Sequence, residues 1–268
     1  MKKFVLTLAV YFALAPLFAQ SGSNVSDRFD VQVNVGATFT FIPEFRNYVF
    51  AANGMVVPGY IHPSNARSLS VSEGSSSSKS RMGWFAGAEV YYRLPRNYAI
   101  SVGAGVKKMR FDYNTTGVGQ STESGTYTVN MDDINARFGK TDLLYLQVTP
   151  INVSKQFLGT KLTLQAGPVL DFLLNDETVN TVVVYYTSEA YAENRPDEAF
   201  FDTIGDMRKF IWGANLSASW KVAAPVSIKV SAQYYFNSLY KDKAYDLDVE
   251  KVSPFVLQAG VSLSPFAF

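Results

Sequence analysis

Phe29-Asp30-Val31-Gln32-Val33-Asn34-Val35-Gly36-Ala37-Thr38-Phe39-Thr40-Phe41 decides how the rest of the chain is read. Phe29, Val31, Val33, Val35, Ala37, Phe39 and Phe41 fall on one side, and Asp30, Gln32, Asn34, Thr38 and Thr40 on the other. An alternation of period two sustained over this length is that of a β-strand with one apolar side. The first strand is expected over Arg28–Phe41, and seven more stretches repeat the pattern: Arg81–Leu94, Tyr98–Phe111, Asp142–Lys155, Lys161–Leu174, Lys209–Val222, Val226–Tyr240 and Val252–Ser264.

The connections alternate in length. Short ones at Pro95–Asn97, Gln156–Thr160 and Ala223–Pro225 carry the proline or glycine of a tight turn. Long ones cover Ile42–Ser80, Asp112–Thr141, Asn175–Arg208 and Lys241–Lys251. Short turns on one side and long loops on the other are the asymmetry of an outer-membrane barrel. The expected fold is therefore all-β, an eight-stranded antiparallel up-and-down transmembrane barrel. With an even strand number, both chain ends fall on the short-turn, periplasmic side.

The first residues agree with export. Lys2 and Lys3 precede an apolar core from Phe4 to Phe18, and Ala19 offers a cleavage point before Gln20. Residues 1–19 read as a signal peptide and 20–268 as one barrel domain. The chain contains no cysteine, which excludes a disulfide framework and a cysteine-linked lipid. No run of about 18 apolar residues follows the signal, so a helical span is not expected. A net charge of +1 gives no electrostatic case for nucleic acid. Aromatic residues make up 15% of the chain, enough to furnish girdles at two membrane interfaces.

The alternation sorts side chains between lipid and lumen. Outward rows carry large aromatics at their ends and small aliphatics between. Trp84 and Tyr92, Trp212 and Trp220, with Tyr234 and Phe236, are spaced to reach the bilayer interfaces. On the opposite face lie Glu89, Arg93, Asp171 and Lys229 among many amides and hydroxyls. Eight strands enclose only enough room for side chains. Charges of both signs there are expected to pair in a closed polar lumen, since isolated buried charge is costly. Lys108 and Arg110 continue the lipid-facing register of their strand at its outer edge. There they are expected to snorkel to the headgroup zone, with contact to anionic lipopolysaccharide groups as a second reading.

The stretch Tyr145-Leu146-Gln147-Val148-Thr149-Pro150-Ile151, followed by Lys155, resembles the tyrosine-leucine-x-x-proline-leucine strand of the PorT-like outer-membrane β-barrel family of Bacteroidota. Thr149 adds one residue between Val148 and Pro150. The next strand, Ala166-Gly167-Pro168-Val169-Leu170 through Phe172-Leu173-Leu174, is similar to that family's alanine-glycine-proline strand. The resemblance covers one hairpin. It implies an eight-stranded outer-membrane barrel with a signal peptide and supplies no catalytic residues. Phe266 and Phe268 resemble the C-terminal segment recognised by the barrel-insertion machinery, although Pro265 interrupts the register that runs from Phe255 to Leu263.

Catalytic and metal chemistry find little support. His62 is the single histidine and stands in the first long loop, with serines at Ser68–Ser80 and carboxylates such as Asp132, Asp133 and Asp202 at no diagnostic spacing. Asp132-Asp133 and Asn175-Asp176-Glu177 lack a calcium-loop pattern. The serine run Ser75–Ser78 reads as a mobile loop tip. No enzyme activity, cofactor or metal is expected. The sequence points to a role in envelope structure, adhesion or a larger surface complex, exercised through surface loops or a protein partner. Two alternatives remain: a small diffusion channel, and a secreted soluble barrel with reversed faces that binds an apolar ligand.

Overall fold

The computed structural model describes residues 28–53, 68–116, 118–122, 125–129, 139–159, 161–179, 182–185, 198–202, 207–241, 243–244, 247–248 and 250–264. Eight strands close into a barrel: β1 (Phe29–Phe41), β2 (Ser68–Leu94), β3 (Tyr98–Thr116), β4 (Gly139–Phe157), β5 (Leu162–Val179), β6 (Phe210–Ala223), β7 (Val226–Tyr235) and β8 (Phe255–Leu263). Every neighbouring pair is antiparallel, and β1 bonds both β2 and β8, so no edge remains open across the barrel.

The register fixes the shape. Starting at Phe39, the pairings run through Leu257, Ala232, Leu216, Ala166, Val153, Ile100 and Tyr92, and return to β1 at Phe29, ten residues lower. Spread over eight strands spaced about 4.8 Å apart, an offset of ten residues at about 3.3 Å each tilts the strands by roughly 40°. Every residue on this circuit is apolar and lies on the outward row.

Sidedness is unambiguous. Phe29, Val35, Phe39 and Phe41 of β1 are exposed, while Asn34, Thr38 and Thr40 between them are buried. The same holds on β6, where Phe210, Trp212, Leu216 and Trp220 are exposed and Ile211, Asn215 and Ser217 are buried. An apolar outside around a filled inside is the reverse of what a soluble carrier of apolar ligands requires, so that reading is set aside.

The strands outrun their expected ends on one side of the barrel. β2 is 27 residues long and includes Ser75–Ser78, which the sequence suggests is a loop tip. That segment is a ladder instead: it pairs with a strand at Phe45–Asn53 on one side and with β3 on the other. Ser76 is buried, and Ser78 Oγ donates to the Ile42 carbonyl at 2.8 Å. Serine supplies the same backbone groups as any residue, so pairing from both sides outweighs a composition that suggests a loop. Strands Glu198–Asp202 and Val182–Tyr185 add to Phe45–Asn53 and widen this projecting wall.

Elsewhere the strands fall short of the alternation. β7 stops at Tyr235 instead of Tyr240, and β8 starts at Phe255, after Pro254. Between them Ser238, Leu239, Tyr240 and Val252 are buried over the barrel mouth. Tyr240 bridges Met207, Leu239 N bonds Val252 O at 2.8 Å, and Val252 N bonds Ser238 Oγ at 3.1 Å.

The extra residue Thr149 also has a structural counterpart. On β4 the run from Val148 to Val153 stands opposite the run from Leu170 to Ala166 on β5, which is one residue shorter, and the surplus makes a bulge. Against β3 the same stretch is again one residue too long, between Thr149 and Asn152.

Candidate functional site

The lumen is packed in three levels. Nearest the short turns, Lys229 Nζ and Glu89 Oε2 form an ion pair at 2.7 Å, and Tyr91 Oη donates to the same carboxylate. Gln165 Nε2 donates to Ser101 Oγ at 2.9 Å, and Ser217 Oγ donates to Gln165 Oε1 at 2.9 Å, which braces the pair from three other strands. Arg93 lies apart from it. Its half-exposed side chain reaches Asp30 at 3.7 Å near the turn-side rim.

Six residues further along β5, Asp171 receives Lys107 Nζ and, at 2.5 Å, Tyr235 Oη. Lys107 and Asp171 are both fully buried. Lys107 Nζ also donates to Gln233 Oε1 at 3.0 Å, and Gln147 Nε2 donates to that oxygen from the opposite wall at 3.0 Å. A lysine removed from water in this way needs each of its protons engaged, and here the carboxylate, an amide and a phenol supply the acceptors.

Between the two charged levels lies a pocket of about 50 Å³ lined by Asn34, Gly87, Gly105, Thr149, Asn215 and Gln258 among others. Asn34 Oδ1, Asn215 Oδ1 and Gln258 Nε2 have no protein partner. The pocket has both the room and the polar lining that ordered water needs.

Above Lys107 the interior changes character. Met109, Phe111, Leu143, Ile211 and Val256 point inward from the strands and pack with Ile42 and Phe45, which follow β1, and with Leu239, Tyr240 and Val252 between β7 and β8. All are buried, and the Phe45 and Tyr240 rings lie 5.5 Å apart. The lumen is therefore the polar interior expected up to the level of the outer aromatic belt, and an apolar cap stands above it.

Outside, the tilt brings the large aromatics to two levels. Trp84, Trp212, Tyr234 and Phe236 come to the outer level with Phe41, Phe172, Phe210 and Phe255, while Tyr92, Trp220, Phe29, Tyr98 and Phe157 come to the inner one. Neighbouring rings pack on one another, as Trp212 with Phe236 at 5.0 Å and Phe29 with Tyr92 at 5.2 Å. Trp212 and Trp220 are eight residues apart on one strand tilted by roughly 40°, a height of about 20 Å. That matches an apolar band of membrane-spanning dimensions.

Lys108 and Arg110 stand at the outer level, Lys108 opposite Trp84 in the ladder. Both converge on Asp142, Lys108 Nζ at 3.1 Å and Arg110 Nε at 3.0 Å, and Arg81 Nη1 joins them at 3.2 Å. Sequence periodicity does not find Arg81 as a member of this group. A bulge between Arg81 and Trp84 breaks the alternation there and turns Arg81 to the lipid side. The roles of Lys107, Tyr91, Gln165 and Tyr235 are equally hidden in the sequence: their inward register is legible, their mutual contacts are not. His62, Asp132, Asp133, the signal segment 1–19, Phe266 and Phe268 lie outside the described residues. Among those described, no group of acidic residues is placed to hold a metal ion.

Residues 18–241 match the family of outer membrane protein β-barrel domains. The chain belongs to that family. As an outer membrane protein β-barrel of the small eight-stranded kind, it resides in the cell outer membrane, with its belts in lipid and lipopolysaccharide surroundings. β8 lies beyond the matched residues and completes the barrel. No curated protein matches the sequence. Among solved structures, this outer membrane barrel is similar to Neisserial surface protein A, at 12% identity and a TM-score of 0.35, covering 87% of this chain and 96% of that one. It is similar to the attachment invasion locus protein Ail of Yersinia pestis, solved with the heparin analogue sucrose octasulfate, at 8% identity and a TM-score of 0.37, covering 88% and 98%. The outer membrane protease OmpT of Escherichia coli is also similar, at 10% identity and a TM-score of 0.37, covering 92% and 99%.

Proposed function

We propose that this protein is a sealed barrel that acts at the cell surface through its projecting wall and partner contacts, and not through its lumen. The observation that carries this reading is the filled interior, in which two buried ionic levels lie under an apolar cap. The wall built on β2 to β5 offers an asymmetric outer surface of the kind an adhesin or an accessory subunit of a surface complex would use. No residue is assigned catalysis, and a non-enzymatic role is part of the proposal.

Within the family, the Tyr145–Pro150 and Ala166–Leu170 hairpin favours the PorT-like branch. Phe266 and Phe268 would then serve recognition by the barrel-insertion machinery, and the first 19 residues would direct export. Recordings on the full-length protein in planar bilayers test the central claim. Flat traces at 1 M salt, with heat-modifiable migration proving the fold, are the expected result. Unitary conductance steps that change size in Lys229→Ala would overturn it in favour of a small diffusion channel, a reading that the pocket between the ionic levels favours.

A further inference from the structure

The outer aromatic belt has a gap. From β5 round through β1 to β2 the outer level carries exposed rings, among them Phe172, Trp212, Phe236 and Trp84. On β3 and β4 the outward residues at that level are Lys108, Arg110, Leu144 and Leu146, and the ring is replaced by cations. The local charge does not cancel. Arg81, Lys108 and Arg110 share Asp142, and Arg81 also reaches Asp112 at 3.2 Å, leaving three cations on two carboxylates. One row further out Lys79 and Lys140 stand opposite Asp112 on either side, against Glu177 opposite Asp142 on β5.

Two features make this a formed site instead of scattered surface charge. The side chains of Arg81, Lys108 and Arg110 are only about a third exposed or less, at 27%, 27% and 32%, and all three are held by the part-buried carboxylate of Asp142. The backbone beneath is fixed as well. At the bulge in β2, Thr38 Oγ1 crosses from β1 and donates to the Lys108 carbonyl at 2.6 Å. It can do so because Gly83 lies between them; a Cβ there would stand 1.9 Å from that carbonyl oxygen.

From this geometry we infer that the Arg81–Lys108–Arg110 cluster binds the phosphate group of an outer-leaflet glycolipid. The cations lie at the level where headgroups meet the apolar band, and Leu144 and Leu146 on the adjacent strand, opposite Lys108 and Val106, offer an apolar track for an acyl chain. Guanidinium groups suit the tetrahedral oxygens of phosphate, and the shared Asp142 carboxylate gathers the three cations at one place. The surplus positive charge faces a medium of lower dielectric than water, where its attraction for an anion is screened least.

The test uses the full-length protein in neutral detergent with three probes: bisphosphorylated lipid A, the same lipid enzymatically dephosphorylated, and inorganic phosphate. Bound lipid is read by native mass spectrometry. Wild-type protein is expected to hold the bisphosphorylated lipid at least about tenfold more tightly than the dephosphorylated one, and Lys108→Gln/Arg110→Gln is expected to abolish the preference. Lys155→Gln, at the opposite belt over the Tyr98 and Phe157 rings, should keep it. Heat-modifiable migration confirms that each variant is folded; should the double variant fail to fold, Arg110→Gln alone is expected to reduce the preference by several fold. Displacement of lipid A by millimolar inorganic phosphate would overturn the lipid assignment in favour of a free-phosphate site. Equal binding of both lipids by wild type, or a preference that survives in the folded variants, would reduce the cluster to a self-contained ionic network.

Discussion

Lys229 and Glu89 illustrate how a single buried contact constrains its neighbours. Each side chain is about 10% exposed, and each brings a charge that water would otherwise solvate. Removing one partner strands the other, at a cost of about 3–5 kcal/mol, whereas replacing both with uncharged residues of similar shape is close to neutral. Lys229→Met should therefore lower the urea midpoint of the refolded barrel strongly, and Glu89→Gln/Lys229→Met should recover most of the loss. A double variant no more stable than the single one would contradict this account. Glycine offers a second residue-scale test. A Cβ on Gly213 would stand 2.0 Å from the Tyr234 carbonyl oxygen of the adjacent strand. Gly213→Val is expected to force β6 and β7 apart and to reduce the folded fraction seen as heat-modifiable migration.

At the scale of the strand, position along the tilt matters more than residue type. Leu216 lies at the centre of the outward row of β6 and is 61% exposed, while Phe210 lies at its outer end. Arginine at Leu216 should cost roughly 2–4 kcal/mol in unfolding from lipid vesicles, and at Phe210 roughly 0–1. Equal costs at the two sites would mean the band is misplaced. The same strand logic explains what is and is not legible in the sequence. Phe29 to Phe41 declares a strand because its alternation is complete. Ser68 to Ser80 does not, because its pairing partners at Phe45–Asn53 and on β3 are remote in sequence and leave no periodic mark. Lys108 and Arg110 are legible as outward residues at a strand end, but Asp142 is tied to them only by the β3–β4 register. Arg81 is concealed by a bulge, which shifts inside and outside by one residue without a local signal. The apolar cap escapes the pattern for a related reason: Met109 and Phe111 sit on the row that further down carries Lys107, so the change of polarity occurs within one face.

For the molecule as a whole, the two belts provide an independent ruler. Trp84 and Trp212 share the outer level and Trp220 occupies the inner one. Single-tryptophan variants in vesicles with bromines placed at graded depths should show Trp84 and Trp212 quenched by the same leaflet's probes and Trp220 by the other's. Similar quenching of all three from one leaflet would rule out the transmembrane orientation.

The seam between β1 and β8 carries a consequence for how the molecule is made. Its nine pairs, from Val33 with Leu263 to Phe41 with Phe255, join residues more than 200 positions apart. Until β8 emerges, β1 and β7 each present a row of amides and carbonyls with nothing to bond, and hydrocarbon offers no substitute for them. Assembly must then proceed as a growing open ribbon shielded from lipid at both margins, zipped shut only by the last strand. The step that completes the cylinder is thus the one that releases it into the membrane.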